Sequence, residues 1–262
     1  MHKNLLFLLI TGVIILTSSA CKVTNDEDSV VDVVPVFDLD MVENLTNNRE
    51  LTFIIESIEL QECENFSVGN NLVKTTSDIK IRINDIVPPD DCISGSAPAQ
   101  STVKLGFLPL GRVFNLEFTI ENTITNKGKL TILDNHYKME LESMDGFGQV
   151  VKKLNRIGDQ LIWGYIAYDE SDLSAIAANF QNDLMDIADA KILEEGYYGH
   201  FSVSPDAALE LLQSPDYQHI KTFYFNYSAD DQGLLDLLDN YRNMVNAGQM
   251  ELVIFTARGD VF

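Results

Sequence analysis

Few residues in this 262-residue chain have the type and spacing that chemistry demands. Apart from His2, the histidines are His136, His200 and His219, and none stands beside another at metal-ligand spacing. No His-Glu-x-x-His helix and no EF-hand loop occurs, so no metal is expected. Tyr198, His200 and Ser202 alternate, which as a strand puts them on one face, within reach of Tyr224 or Asn226 across a sheet. Tyr198, His200 and Tyr224 are therefore the candidate ligand-facing residues. A structurally satisfied histidine is the commoner fate of such a residue. Ser77-Asp78-Ile79-Lys80 has the Ser-x-x-Lys spacing, but it falls on a strand-like stretch, whereas that chemistry needs a helix start. Neither a Gly-x-Ser-x-Gly elbow nor a phosphate-binding glycine loop is present. Glu194-Glu195 and Asp230-Asp231 are only two of many carboxylate pairs, and their spacing identifies no acid-base couple. No catalytic residue and no cofactor is assigned.

The three cysteines carry more information. Cys21 follows a basic start at His2-Lys3, an apolar run from Leu5 to Leu16 and the small residues Ser18, Ser19 and Ala20. That order marks an export signal, too short to span a bilayer comfortably. Ser18-Ser19-Ala20-Cys21 resembles the lipobox of bacterial lipoproteins, in which the cysteine thiol is lipidated and the preceding residues are removed. Ser18 stands where leucine is most often found. The resemblance covers this segment alone and implies that residues 1–20 are a signal peptide and that Cys21 is the acylated new N-terminus. Several acyl chains, at about 0.8 kcal/mol per buried CH₂, give stable anchoring where one would be marginal.

With Cys21 acylated, Cys63 and Cys92 remain. An even pair in an oxidising compartment is most simply a disulfide. Two buried free thiols are the alternative, and two cysteines without nearby histidines make a poor zinc site.

Composition limits the partners. Forty acidic residues against 18 basic ones give a formal net charge of −22, which repels phosphate backbones and anionic headgroups. Nucleic acid is excluded on that ground, and membrane attachment must come from the lipid. Hydrophobic residues at 45% and charged residues at 22% suit a chain that buries a real core.

Residues 21–49 read as an acidic tether, with Asn25-Asp26-Glu27-Asp28 near its start and Val33-Val34-Pro35-Val36 able to lie extended against the first domain. The acidic cluster resembles the signal that sends some Gram-negative lipoproteins to the cell surface. From 50 to 145, alternation predicts strands joined by turns at Leu51–Leu60, Ile79–Ile83, Val103–Leu108, Phe114–Ile120, Lys129–Leu133 and Tyr137–Leu141. Asn126-Lys127-Gly128 is expected to close a hairpin. These short strands suggest an antiparallel Ig-like β-sandwich, with the cysteine pair stapling its start to the loop 88–100.

Beyond the glycines at 146 and 148, strand and helix signals alternate, and 150–262 reads as a second domain. Leu161–Tyr168, Gly196–Val203, Lys221–Tyr227 and Met250–Thr256 are its strands. One helix starts at Ser171-Asp172 and buries Leu173, Ile176, Ala177, Phe180, Leu184, Ile187 and Ala188; another, capped by Asp230 or Asp231, buries Leu234, Leu237, Leu238, Tyr241 and Val245. Ser204-Pro205-Asp206 and Ser214-Pro215-Asp216 each read as the start of a short helix. The order predicts a ferredoxin-like βαββαβ domain whose helices cover one sheet face, with aromatics on the other.

The expected protein is thus a lipid-anchored outer-membrane protein, facing the cell surface, that binds or assembles with a protein or glycan partner and does not catalyse. The alternative is an envelope hydrolase or metal-dependent enzyme with its site on the open sheet face of the second domain.

Overall fold

The computed structural model describes residues 33–46 and 49–262; the expected signal peptide at 1–20, Cys21 and the first part of the expected tether lie outside them. Among the described residues there are sixteen strands and two α-helices, and none of the helices is long and apolar enough to cross a membrane.

The first strand arises within the stretch whose composition suggests a tether. In β1 (Phe37–Asn44), Phe37, Leu39, Met41 and Glu43 all face inward, and the intervening residues are only half-buried. It pairs with β2 (Glu50–Cys63) residue for residue, from Phe37 opposite Ser57 to Asn44 opposite Glu50. β3 (Ser67–Lys74), β4 (Asp78–Val87), β5 (Ser94–Lys104), β6 (Val113–Ile120), β7 (Ile124–Ile132), β8 (His136–Leu141), β9 (Phe147–Val150) and β10 (Lys153–Asn155) complete one sheet. Its strand order is β10-β8-β7-β6-β4-β3-β5-β2-β1-β9. The pairs β4·β6, β3·β5 and β1·β9 are parallel.

This is a curled, mixed, ten-stranded sheet, and it corrects the expectation of an antiparallel Ig-like sandwich. The two outermost strands, β9 and β10, are consecutive in the chain. Between them Val151 N–H donates to Leu39 O at 3.0 Å, and Lys152 O accepts from Met139 N–H at 2.8 Å, so one segment bonds both edges and closes the curl. Closure satisfies the backbone groups that open edges would leave exposed. The interior is aromatic and aliphatic: Phe118 packs edge-on against Phe53 (5.4 Å) and Phe147 (5.6 Å) among the isoleucines of β4.

The expected hairpin at Asn126-Lys127-Gly128 is also corrected. The turn lies at Glu121-Asn122, both at positive φ (46° and 59°), with Ile120 facing Ile124. Here a tight hairpin forms without the glycine that usually announces it. Gly128 is inside β7, where a Cβ would sit 2.1 Å from Glu140 O on β8. Of Val103–Leu108 only Val103 and Lys104 are strand: β5 ends at Lys104, and Phe107 lies in the loop beyond.

The C-terminal part is built around β11 (Leu161–Tyr168), seven of whose eight residues are buried. It is flanked by β15 (His219–Asn226) and β16 (Met250–Thr256), both antiparallel to it, in the order β15-β11-β16. On one face α1 (Ser174–Ile187), entered through a 3₁₀ turn at Ser171–Leu173, and α2 (Asp231–Arg242) bury Ala177, Phe180, Leu184, Leu234, Leu238 and Tyr241 against Ile162 and Ile166. Both helical faces follow the three-four spacing, except that Ile187 is exposed and Ile176 and Leu237 are only half-buried.

The ferredoxin-like expectation nevertheless fails at its second strand. Gly196–Val203 does not join this sheet; it forms a separate small sheet of β12 (Gly196–Tyr197), β13 (Phe201–Val203) and β14 (Leu209–Leu211). Gly199, at φ +81°, turns the chain between β12 and β13. The driving force is apolar. Leu161, Trp163, Tyr224 and Phe255 line the face opposite the helices, and Leu193, Tyr198, Phe201, Val203 and Leu209 cover them in one cluster. Fully burying such side chains contributes about 1.5–3 kcal/mol each, which favours covering the face over extending the sheet by an edge strand. Ser204-Pro205-Asp206 starts no helix: it makes the β13–β14 turn, where Ser204 Oγ accepts from Ala208 N–H at 3.1 Å. Ser214-Pro215-Asp216 lies in irregular chain ahead of β15.

Candidate functional site

Strand alternation explains how the chain comes to bury a carboxylate. Glu43 shares the inward parity of Phe37, Leu39 and Met41, and it is fully excluded from water. A buried charge survives only if it is paired and hydrogen-bonded. Glu43 Oε1 accepts from Tyr137 Oη (2.9 Å) and from Arg156 Nε and Nη2 (3.2 and 3.1 Å). The Arg156 guanidinium also lies over the Tyr137 ring, 5.2 Å from its centroid. Arg49, at the end of the β1–β2 connection and at φ +48°, brings Nη2 to 4.0 Å from Glu43 Oε2 and donates from Nη1 to Asp159 at 2.7 Å. Glu43 Oε2 and Arg49 Nε and Nη2 are buried without a hydrogen-bond partner among the described residues. Burial, the neighbouring Glu43 charge and their shared hydrogen bond push the Tyr137 hydroxyl far above its ordinary pKa, against the pull of Arg156, so it stays a donor.

Arg49, Arg156 and Leu110 are shared by the linings of two adjoining parts of a cleft. One side, about 500 Å³, is bordered by Asp134, Asn135, Asp159, Lys191 and Glu194, a lining of both charges. The other, about 350 Å³, is bordered by Leu51, Phe107, Leu108, Pro109 and Tyr137. There the two guanidiniums are the charged groups.

The residues singled out by sequence sit apart from these arginines and have their polar ends engaged. Tyr198 is buried, stacks on Phe201 with centroids 4.9 Å apart and donates to Glu194 O at 3.0 Å. His200 Nε2 lies 2.8 Å from Glu43 O, and a carbonyl can only accept, so Nε2 carries the proton. Its ring packs 6.0 Å from Trp163. Tyr224 donates to Ala207 O at 3.0 Å. The three surround one apolar cluster and hold together the segment that covers β11. Tyr198 alone reaches the cleft, on its mixed-charge side. The sheet face opposite the helices, which in the alternative reading would carry an enzyme's site, is covered by Leu193, Tyr198, Phe201, Val203 and Leu209.

Cys63 and Cys92 form a disulfide, with Cα atoms 5.5 Å apart. Beside it Glu64 N–H donates to Ile93 O at 3.0 Å, and the Asn65 side chain bonds Asp91 O and Ile93 N–H, tying the loop before β5 to the end of β2. Ser77 donates to Asp78, while Lys80 pairs with Glu117 on β6 at 3.5 Å, so the Ser-x-x-Lys residues do not converge. Of the carboxylate pairs, Glu194 meets Lys153 at 3.4 Å and Asp231 meets Arg258. Among the described residues no group of three or more His, Cys, Asp or Glu side chains is placed to hold a metal ion.

Sequence reasoning missed Glu43, Arg49 and Arg156. The one signal available was an acid continuing the apolar alternation of Phe37, Leu39 and Met41. Comparison with known proteins adds nothing to the geometry: no family model, no curated protein and no solved structure matches the chain.

Proposed function

We propose that this chain is a lipid-anchored protein of the bacterial cell envelope, held in the outer membrane through Cys21 and facing outward, which binds a ligand without transforming it. The lipobox-like run Ser18-Ser19-Ala20-Cys21 is the observation that carries the anchoring. The Cys63–Cys92 disulfide supports an oxidising compartment, since such bonds do not persist in a reducing cytosol. Binding is supported by the cleft over Arg49 and Arg156. Its cations are set in place from beneath by a buried carboxylate, and His200, Tyr198 and Tyr224 are engaged elsewhere. A rigidly held cation pair in a small cleft is suited to orienting an anionic group.

Metabolic labelling with a fatty acid tests the anchor. Wild-type protein is expected to take up label and to fractionate with membranes, and Cys21→Ala to lose both. Equal membrane association of the two forms, with neither labelled, overturns it. Surface exposure is read separately, by protease digestion of intact cells: degradation without lysis supports an outward position, and full protection until lysis places the protein on the periplasmic face.

A further inference from the structure

The apolar side of the cleft reverses the character of the molecule. In a chain with 40 acidic and 18 basic residues, the lining of this 350 Å³ groove contains two guanidiniums and no carboxylate. Only one anion lies beneath them. Glu43 Oε1 takes both of its charged hydrogen bonds from Arg156, leaving Arg156 Nη1 uncommitted, while Arg49 stands 4.0 Å from Oε2. The second partner of Arg49, Asp159, is 89% exposed. Asp159 balances Arg49 from outside the groove lining, so Arg156, whose Nη1 has no hydrogen-bond partner among the described residues, is the cation the groove offers. The walls are apolar and unusually open: Phe107 is 76% exposed and Leu110 55% exposed, so each has surface that a ligand would take out of water. A volume near 350 Å³ is at the small end of the roughly 300–1,000 Å³ of small-molecule sites, too little for a folded partner.

We infer that this groove binds a small amphiphilic monoanion, a carboxylate whose head meets Arg156 at its uncommitted Nη1 end and whose apolar body lies along Phe107–Leu110. A guanidinium suits a carboxylate because its planar fork can present two parallel N–H donors. Inorganic phosphate has no apolar body to cover Phe107 and Leu110, and a neutral amphiphile leaves Arg156 Nη1 without a charged partner. The inference rests on the binding reading above and names its ligand class.

The test is calorimetric titration of the mature chain from residue 21, with Cys21→Ser removing the acylation site, against decanoate, decanol and inorganic phosphate. Decanoate is expected to bind at one site, at least ten-fold tighter than either control. Phe107→Ala is expected to weaken it about five-fold. Leu110→Glu, which adds a negative charge to an exposed wall without touching the buried pair, is expected to weaken it at least ten-fold. Both variants change exposed side chains and leave Glu43 and Arg156 intact, so they fold whether or not the groove binds. Decanol binding as tightly as decanoate, no decanoate binding, or decanoate binding unaffected by Leu110→Glu each overturns the inference. Fatty-acid labelling at Cys21 is independent of all three results, so the anchored reading stands or falls separately.

Discussion

Glu43 and Arg156, 113 residues apart, meet inside the protein, with Glu43 Oε1 accepting from Arg156 Nε at 3.2 Å and Nη2 at 3.1 Å. Glu43 is on β1, and Arg156 follows β10, the strand that closes the other end of the sheet. The pair therefore clamps the closure while it aims a guanidinium into the cleft. Removing one partner of a buried pair leaves the other charge uncompensated, so Glu43→Ala is expected to cost about 3–5 kcal/mol in urea unfolding. Tyr137→Phe removes one hydrogen bond to the same oxygen and is expected to cost about 1.5–3 kcal/mol, because that bond is to a charged group. A loss below about 1 kcal/mol for Glu43→Ala would show that the pair does not hold the closure.

Gly164 on β11 leaves no room for a side chain against β16. A Cβ there would lie 1.9 Å from Val253 O, a backbone atom that cannot step aside. Gly164→Ala is expected to destabilise by about 1–3 kcal/mol through forced strand displacement. Gly158→Ala, where nothing lies within 4 Å and φ is not positive, is the matched control and is expected to stay near neutral in the same thermal melt. Equal melting temperatures for the two variants contradict the close approach.

Cys63 and Cys92 are 29 residues apart in sequence. On the chain-entropy model, closing a loop of that length contributes about 3–4 kcal/mol by restricting the unfolded state. The double variant Cys63→Ser/Cys92→Ser is expected to unfold at correspondingly lower urea concentration. Neither cysteine of the unreduced wild-type protein is expected to react with an alkylating reagent, even after denaturation. Alkylation before reduction would refute the bond.

Asp40 supplies a pH dependence. Tyr197 Oη donates to its Oδ2 and Met41 N–H to its Oδ1, both at 2.6 Å. Burial raises its pKa above the ordinary 3.8 and outweighs the opposing effect of those two hydrogen bonds. A carboxylate raised in the folded state favours folding most below the unfolded pKa, and that contribution is lost as the pH rises through the folded value. Asp40→Asn does not ionise, so its melting temperature relative to wild type is expected to increase between about pH 3 and pH 7. A difference that stays constant or falls over that range contradicts the assigned direction.

Local pattern was a good guide wherever one face of an element is uniformly apolar. Leu161–Tyr168 and Met250–Thr256 form strands with the bounds that the sequence predicts, and Ala177, Phe180 and Leu184 share the buried helical face that three-four spacing predicts. It misled where strand and turn residues mix. β3 has the sequence Ser-Val-Gly-Asn-Asn-Leu-Val-Lys, whose Gly69-Asn70-Asn71 reads as a turn. Between β4 and β5 it becomes a strand with a register shift at Val68/Asn70. β1 was hidden by Asp38, Asp40 and Glu43, acids that a tether would also contain.

Length, acidity, the export-like start and the amphipathic faces of α1 and α2 can be read from residue order, because each depends on composition or on neighbours a few positions away. Sheet closure by residues 147–155, the covering of Trp163 by Phe201 and Tyr198, and the convergence of Glu43, Arg49, Tyr137 and Arg156 cannot. Each is a choice among partners far apart in sequence, decided by which arrangement buries the most apolar surface while leaving the fewest buried charges and backbone groups unpaired. Glu43 shows the division most plainly: its place in the alternation of β1 turns it inward, but only the folded chain supplies the cations that let it stay there.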